Sequence, residues 1–524
     1  MRYAQKAWRI SPWVWRPRHV STVSRLHVSL LFRSSGSCYS SLTTPSCEDA
    51  PKEPGVVYNW VDGAETIEYY QPGGYHPVMI GDVLHKRYQI VDKLGYGGYS
   101  TVWLAHDTNS KHYVALKVGI ADSPSQETNH LRAIAQCPGS YNKHPGRDAI
   151  PLPLDEFEIS GPNGTHHCYT MSPTQCNLRE VSFSRLFPLE VTRALCYRLA
   201  QAIAYTHLQS YAHGGLSPHS LKSAGQSLTI SLNTSRLDVH LGNILVKLPS
   251  SLNQLSVEQF YETYDEPETW EITRRDGKPL SPNVPAKAVV PLYLGKGAEK
   301  FTLSDTCIVL SDFGESFSPT SNSRKGEDCH TPLASRPPEA RFQPKVPLSF
   351  SADIWSLGAC IWEILGMKVI FSSDWYSADE VTCQHIDILG PLPQNWWEQW
   401  SERGKFFDVN GRPTEGRYVW PPIEQAFEQD IQEYRRKRHV GEYGKEETAA
   451  ILNLMRRMFA YPPEDRPTAE EVLKSEWMVK WCLPEFEKSL RPSRAFSISL
   501  YHSPQVGLIS SPPLQCKLVI FSNF

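Results

Sequence analysis

Between Tyr88 and Val118 the chain reads as three short strands, YQIVDKL, STVWLA and YVALKV, separated by turns, and this run limits the fold more than any other part of the sequence. β-Branched and aromatic residues in such runs suit a pleated, half-buried surface, and links this short imply antiparallel pairing. The first turn, within LGYGGYSTV, is rich in glycine. Gly95, Gly97 and the small Ser100 remove side-chain obstruction, so the backbone along Leu94, Gly95, Tyr96, Gly97, Gly98, Tyr99, Ser100 and Val102 can approach a polyphosphate with its N–H groups. Taken alone, such a turn is more often an ordinary hairpin. Lys117 alters the reading. It follows Val102 by fifteen residues, on a strand where Val114, Leu116 and Val118 share one face and Ala115 and Lys117 the other. A cation and a small flat residue then face the turn, which favours a phosphate role over a solvated edge lysine.

Downstream, DVHLGNILV holds Asp238 and Asn243 five residues apart. A carboxylate there can accept or orient a hydroxyl proton, and a carboxamide later in the same tight loop can hold a metal ion. Asp312 ends the apolar run CIVLS and precedes Phe313-Gly314, a placement suited to a hard Mg²⁺ ion bridging phosphates. Two apolar helical faces flank these motifs: Leu195, Leu199 and Ile203, then Ile354, Leu357, Ile361 and Leu365. The architecture implied is α+β, a small β-rich part followed by a larger helical one. At 524 residues the chain is too long for one core but sufficient for two lobes. The Pro-rich and acidic stretch at 249–300 reads as a long inserted loop.

The ordered set GxGxxSxV, VALK, DxxxxN and DFG continues with Pro338-Glu339 in SRPPEARF, Asp353 in DIWSLG and Arg466 in PPEDRPT. It resembles the eukaryotic protein kinases. The resemblance implies a bilobal protein-kinase fold over residues 88–478, with ATP and Mg²⁺ as cofactors. It places Lys117 and Asp238 with Asn243 in the catalytic machinery, the glycine turn over the phosphates, Ala115 against the adenine, and Asn243 and Asp312 on Mg²⁺. Met171 to Gln175 becomes the connector between lobes, Glu339 and Arg466 a buried ion pair, and Asp353 the anchor of the catalytic loop. The stretch GGYHPVMIGDVLHKRYQIVDKLGYGGYSTVWLA is similar to the start of kinases that phosphorylate serine/arginine-rich splicing factors, and SDFGESFSP through HTPLASRPPEARF resembles their fungal members. The implied substrate is a protein with Arg/Ser-rich segments, met in cytoplasm and nucleus, by a monomeric enzyme.

Four departures from the family pattern qualify this. Aligning NHLRAI on the helix after Lys117 puts His130 where a glutamate is expected, with Glu127 three residues earlier, nearly one turn away and able to reach the lysine from the same face. His213-Gly214 is separated from Asp238 by Gly215 to Leu237, a segment holding six serines and no acid. The segment is either a real surface insertion or, as we expect, a translated intron: Gly215 can be encoded GGT, and Leu237 ending in A before the G of Asp238 supplies the closing AG. Splicing would restore AHGDVHLGNILV. Finally, Gly214 stands where many kinases have an arginine that receives an activation-loop phosphate, so constitutive activity is expected. His240, two residues after Asp238, replaces the usual lysine. The broken loop and His130 support an alternative, a pseudokinase that binds nucleotide without transfer; Gly214, Asp238 and His240 support another, a small-molecule phosphotransferase.

Charge is nearly balanced, Lys+Arg 53 against Asp+Glu 56, so no overall basic field favours direct nucleic-acid binding. The ends differ. Residues 1–47 carry seven basic and no acidic side chains; the Arg- and Ser-rich stretch 1–50 reads as either an unstructured leader or an organellar transit peptide, the latter pointing to the mitochondrion, and residues 51–87 form an extension ahead of the domain. After Glu487 there is again no acid, and 479–524 reads as a tail. The twelve cysteines show no metal-ligand spacing, and no apolar run is long enough for a membrane span.

Overall fold

A computed structural model describes residues 56–121, 126–135, 144–181, 185–214, 241–321, 323–329, 331–372 and 376–491. The basic leader, Gly215 to Leu237, Asp238, His240 and the chain after Arg491 lie outside the described residues. The small lobe is an antiparallel sheet built from β1 (Val83–Leu84), β2 (Tyr88–Gly97), β3 (Ser100–Asp107), β4 (Tyr113–Ala121), β5 (Asp155–Gly161) and β6 (Gly164–Met171), in the order β1-β2-β3-β4-β6-β5. The three strand-like runs are β2, β3 and β4. Val114, Leu116 and Val118 are buried with Ile90, Trp103, Phe157 and Cys168 on one face, which is what the period-2 pattern requires. Helix α1 (Gln126–Ala135) follows β4 and buries Leu131 and Ile134.

Ser172 and Pro173 join β6 to β7 (Thr174–Asn177), so the expected connector is where the sheet system changes. β7 pairs with β8 (Ile244–Lys247), which pairs with β11 (Ile308–Leu310). Beyond the single turn α2 (Leu178–Val181), the long α3 (Leu189–Leu208) is buried on nearly every side and packs against α6 (Phe350–Gly366). The spaced residues Leu195, Leu199, Ile203, Ile354, Leu357, Ile361 and Leu365 all enter this one core. Among the described residues no helix is long and apolar enough to cross a membrane.

The inserted stretch differs from the expected loop. It contains α4 (Val257–Tyr264), opened by a capping box from Ser256 and Gln259, and a hairpin of β9 (Thr269–Glu271) and β10 (Lys287–Val289). Leu252 and Phe260 pack on Val91, Leu104 and Tyr113 of the small lobe, while Ile272, Val284 and Ala288 form a second cluster with Tyr58, Ala64, Ile67, Tyr70 and Tyr75 of the N-terminal extension. Periodicity could not reveal this, because the insert's few apolar residues find their partners far away in sequence, as when Tyr261 donates to the Val91 carbonyl at 2.9 Å. Ordered chain also passes the expected boundary at 478. After the turn α5 (Glu339–Phe342), α7 (Ala378–Leu389) and further helices that include Lys445–Met458, a last described helix, Leu483–Ser489, buries Phe486 beside Tyr197 with ring centroids 5.0 Å apart.

Candidate active site

The glycine turn closes β2 onto β3, with Gly97 opposite Ser100 and Gly95 opposite Val102. A Cβ at Gly95, Gly97 or Gly98 would meet nothing within 4 Å, and none of the three has a left-handed φ. Neither crowding nor backbone strain inside the protein therefore demands glycine here. The space beside them is open to a group approaching from outside. In β4, Lys117 sits opposite Val102 on one side and Tyr169 on the other, and Ala115 sits opposite Met171 at the end of β6.

Lys117 Nζ lies 2.6 Å from Glu127 Oε2, with both side chains partly exposed. Glu127 in the first turn of α1 thus supplies the lysine's partner, and the position first aligned for that task, His130, has another. Its Nδ1 lies 3.0 Å from the Phe313 carbonyl, tying α1 to the segment after Asp312. Burial works against the lysine's charge, but Glu127, Tyr169 and Asp312 hold its pKa well above the ordinary value. Asp312 responds oppositely: its pKa is raised to about 7, chiefly by burial, with Lys117 opposing and Glu127 and Glu315 reinforcing the rise. A carboxylate in this state gains from a cation at its oxygens.

Asp312 and Asn243 come together through the β8–β11 pairing. Leu310 faces Ile244, and one residue further the Asn243 carbonyl accepts from Ser311 N at 2.8 Å and Ser311 Oγ at 3.0 Å. The two predicted metal ligands therefore sit at the same end of one strand pair. Oxygen donors of this kind fit a hard divalent cation. Asp312 itself has φ 70, a left-handed conformation that aspartate tolerates better than most side chains. Phe313 is buried next to His213, ring centroids 4.8 Å apart. His213 N and Gly214 N donate to the two oxygens of Asp353 at 2.7 and 3.0 Å, so the aspartate of α6 anchors this loop as expected. The described chain stops at Gly214 and resumes at Leu241; Asp238 lies between, outside the described residues.

The missing arginine has a structural reason. Gly214 adopts φ +78, and a Cβ there would lie 2.7 Å from the Glu315 carbonyl oxygen. Glu315 instead pairs with Arg324 at 2.9 Å, and a backbone bridge joins Ala212 to Phe317 in the segment after Asp312. In the large lobe Arg466 grips Glu339 through two bonds of 2.8 and 2.7 Å and also donates to the Ala460, Ser351 and Tyr461 carbonyls. Sequence reading did not single out Tyr169, Glu315 or Arg324, whose roles depend on cross-strand or loop-to-loop contacts.

Residues 300–478 match the family described as "Protein kinase domain". A serine/threonine protein kinase of Aspergillus fumigatus is 27% identical over 427 residues, 79% of this chain and 90% of that one. The serine/threonine-protein kinase SRPK of Physarum polycephalum is 26% identical, again spanning 79% of this chain and 91% of its own length. Human SRSF protein kinase 3 is 43% identical over 104 residues, 20% of this chain and 18% of that protein. With the two-lobed fold and this site, these likenesses support a serine/threonine protein kinase, acting with ATP and a divalent metal on a protein substrate, and the relatives it resembles include kinases of the SRPK type.

Proposed function

We propose that this kinase is catalytically competent and transfers the γ-phosphate of ATP, with Mg²⁺, to serines in Arg/Ser-rich proteins such as splicing factors. The observation that carries the reading is the formed Lys117–Glu127 pair beside Asp312 and Asn243. When bound, ATP supplies the phosphoryl group and Mg²⁺ neutralises charge on its phosphates. The chain's own part is to orient. Lys117 holds phosphate oxygens, the turn from Leu94 to Val102 covers them, Ala115 borders the base, and Asn243 and Asp312 would hold the metal. Asp238 orients the substrate hydroxyl. Glu315 and Arg324 keep the adjoining segment in place, which supports activity without prior phosphorylation. The Arg/Ser-rich substrate is supported by the likeness to the SRPK and SRSF kinases.

Labelled ATP and an Arg/Ser-repeat peptide test this, using the chain with and without Gly215 to Leu237. Transfer that Asp312→Ala abolishes is expected. A second reading, a pseudokinase, is favoured by the long segment between Gly214 and Leu241. Nucleotide binding without transfer from both forms would establish it. Sequencing the transcript across the junction decides whether that segment exists in the mature protein.

A further inference from the structure

The extension ahead of the kinase sheet reaches the glycine turn directly. Tyr75 Oη donates to the Gly97 carbonyl at 2.6 Å, in the middle of the turn. Tyr75 is itself buried, with Tyr69 and Tyr70 edge-on at 5.6 and 5.5 Å. Two residues before Gly95, Lys93 is wholly buried and paired with Glu65, which also accepts from the Tyr70 hydroxyl. The Lys93 ammonium lies 4.9 Å from the Trp103 ring centroid and 5.5 Å from that of Tyr96, an exposed residue at the turn. The extension is secured from behind as well. Gly74 O accepts from Ala121 N at 2.9 Å at the end of β4, and Asn163 Nδ2 donates to Tyr75 O at 2.6 Å. A Cβ on Gly74 would lie 1.9 Å from the Tyr69 carbonyl oxygen, so the bend that delivers Tyr75 requires glycine.

We propose that Tyr75 and the Glu65–Lys93 pair are positioning residues: they hold the glycine turn in its covering conformation and thereby set affinity for the nucleotide. This rests on the reading that the turn covers ATP phosphates. No side chain packs over the turn's three glycines, since a Cβ on any of them would meet nothing within 4 Å, and a flexible turn must be ordered when a ligand binds. Ordering it beforehand removes that cost from binding. Stability alone accounts poorly for the arrangement, because a buried ion pair gives little over a well-packed apolar pair. Its placement next to the turn, and the hydroxyl bonded to a carbonyl inside it, point to alignment.

The test uses the full chain and compares wild type with Tyr75→Phe, which removes one hydrogen bond and keeps the ring. The KM for ATP and the Kd of a fluorescent ATP analogue are expected to rise about three- to tenfold, with the peptide KM and melting temperature unchanged and kcat within about twofold. Amide hydrogen exchange should quicken in Gly97–Ser100 and not in α6. A double variant, Glu65→Gln with Lys93→Met, removes both charges and should shift ATP affinity the same way. If wild type binds and uses ATP and Tyr75→Phe leaves its KM and the turn's exchange unchanged, the proposal is wrong while the kinase reading stands. If only the melting temperature falls, the strut is merely structural and the proposal is equally overturned. If wild type binds no nucleotide, the reading beneath fails and the proposal with it.

Discussion

Two ion pairs, one in each lobe, look alike in distance and differ in everything else. Lys117 and Glu127 meet at 2.6 Å through single atoms, with side-chain exposures of 20% and 17%; Arg466 and Glu339 meet through a bidentate fork, with 0% and 7%. The arginine's remaining donors reach three backbone carbonyls, which leaves it no capacity for a ligand. The lysine ammonium donates to a single carboxylate, Glu127, with the Asp312 carboxylate acting on it as well, which leaves it donors for a phosphate. One pair is closed and holds structure. The other is open and holds chemistry.

Breaking the closed pair should produce the largest loss of stability. Arg466→Leu strands the Glu339 carboxylate in the core and is expected to cost about 3–5 kcal/mol in denaturant unfolding. A loss under about 1 kcal/mol would show that the fork contributes far less than its geometry implies. Breaking the open pair should leave the fold and remove the reaction. Lys117→Met is expected to lower kcat/KM about 10²–10³-fold while stability moves by less than about 1 kcal/mol, since the pair is partly solvated. Comparable losses of activity and stability would erase the distinction.

A third pair, behind the sheet, sharpens it. Arg87 Nε and Nη2 each lie 2.8 Å from the oxygens of Asp107, which is buried while Arg87 is one-third exposed. The arginine's bonds hold the Asp107 carboxyl well below the usual carboxylate range, with burial pulling the other way. A depressed folded pKa gives stability that is complete above the unfolded value, about 4, and is lost as pH falls toward the folded one. Asp107→Asn should therefore cost about 1–2 kcal/mol at pH 7, discounted for the exposure of Arg87, and the gap to wild type should close as pH falls below about 4. Urea unfolding at several pH values reads both, with ATP turnover at neutral pH unchanged. A gap independent of pH would assign the effect to packing.

Much of the site was legible because its chemistry sits within short strings. Gly95 to Val102, Lys117, Asn243 and Asp312 each announce a strand end, a turn or a donor type, and the structure joins Asn243 and Asp312 through neighbouring strands. Glu127 was legible only as a candidate, since an i to i+3 spacing leaves two residues on one helix face and packing chooses between them. The structure gives Glu127 to Lys117 and His130 to the Phe313 carbonyl. The insert was misread because its helix and hairpin depend on apolar partners in β2, β3 and the N-terminal extension rather than on their own periodicity.

The sequence by itself determined the order of motifs, the antiparallel β2–β4 meander, the two central helices and the class of chemistry. These follow from local spacing and side-chain type. Only the tertiary structure decided which residue completes the lysine pair, why glycine stands at 214, and that the extension and insert fold together against the small lobe with Tyr75 on the phosphate-type turn. Such contacts join residues that no period relates. They form when burial brings distant segments together and their polar groups must find partners there.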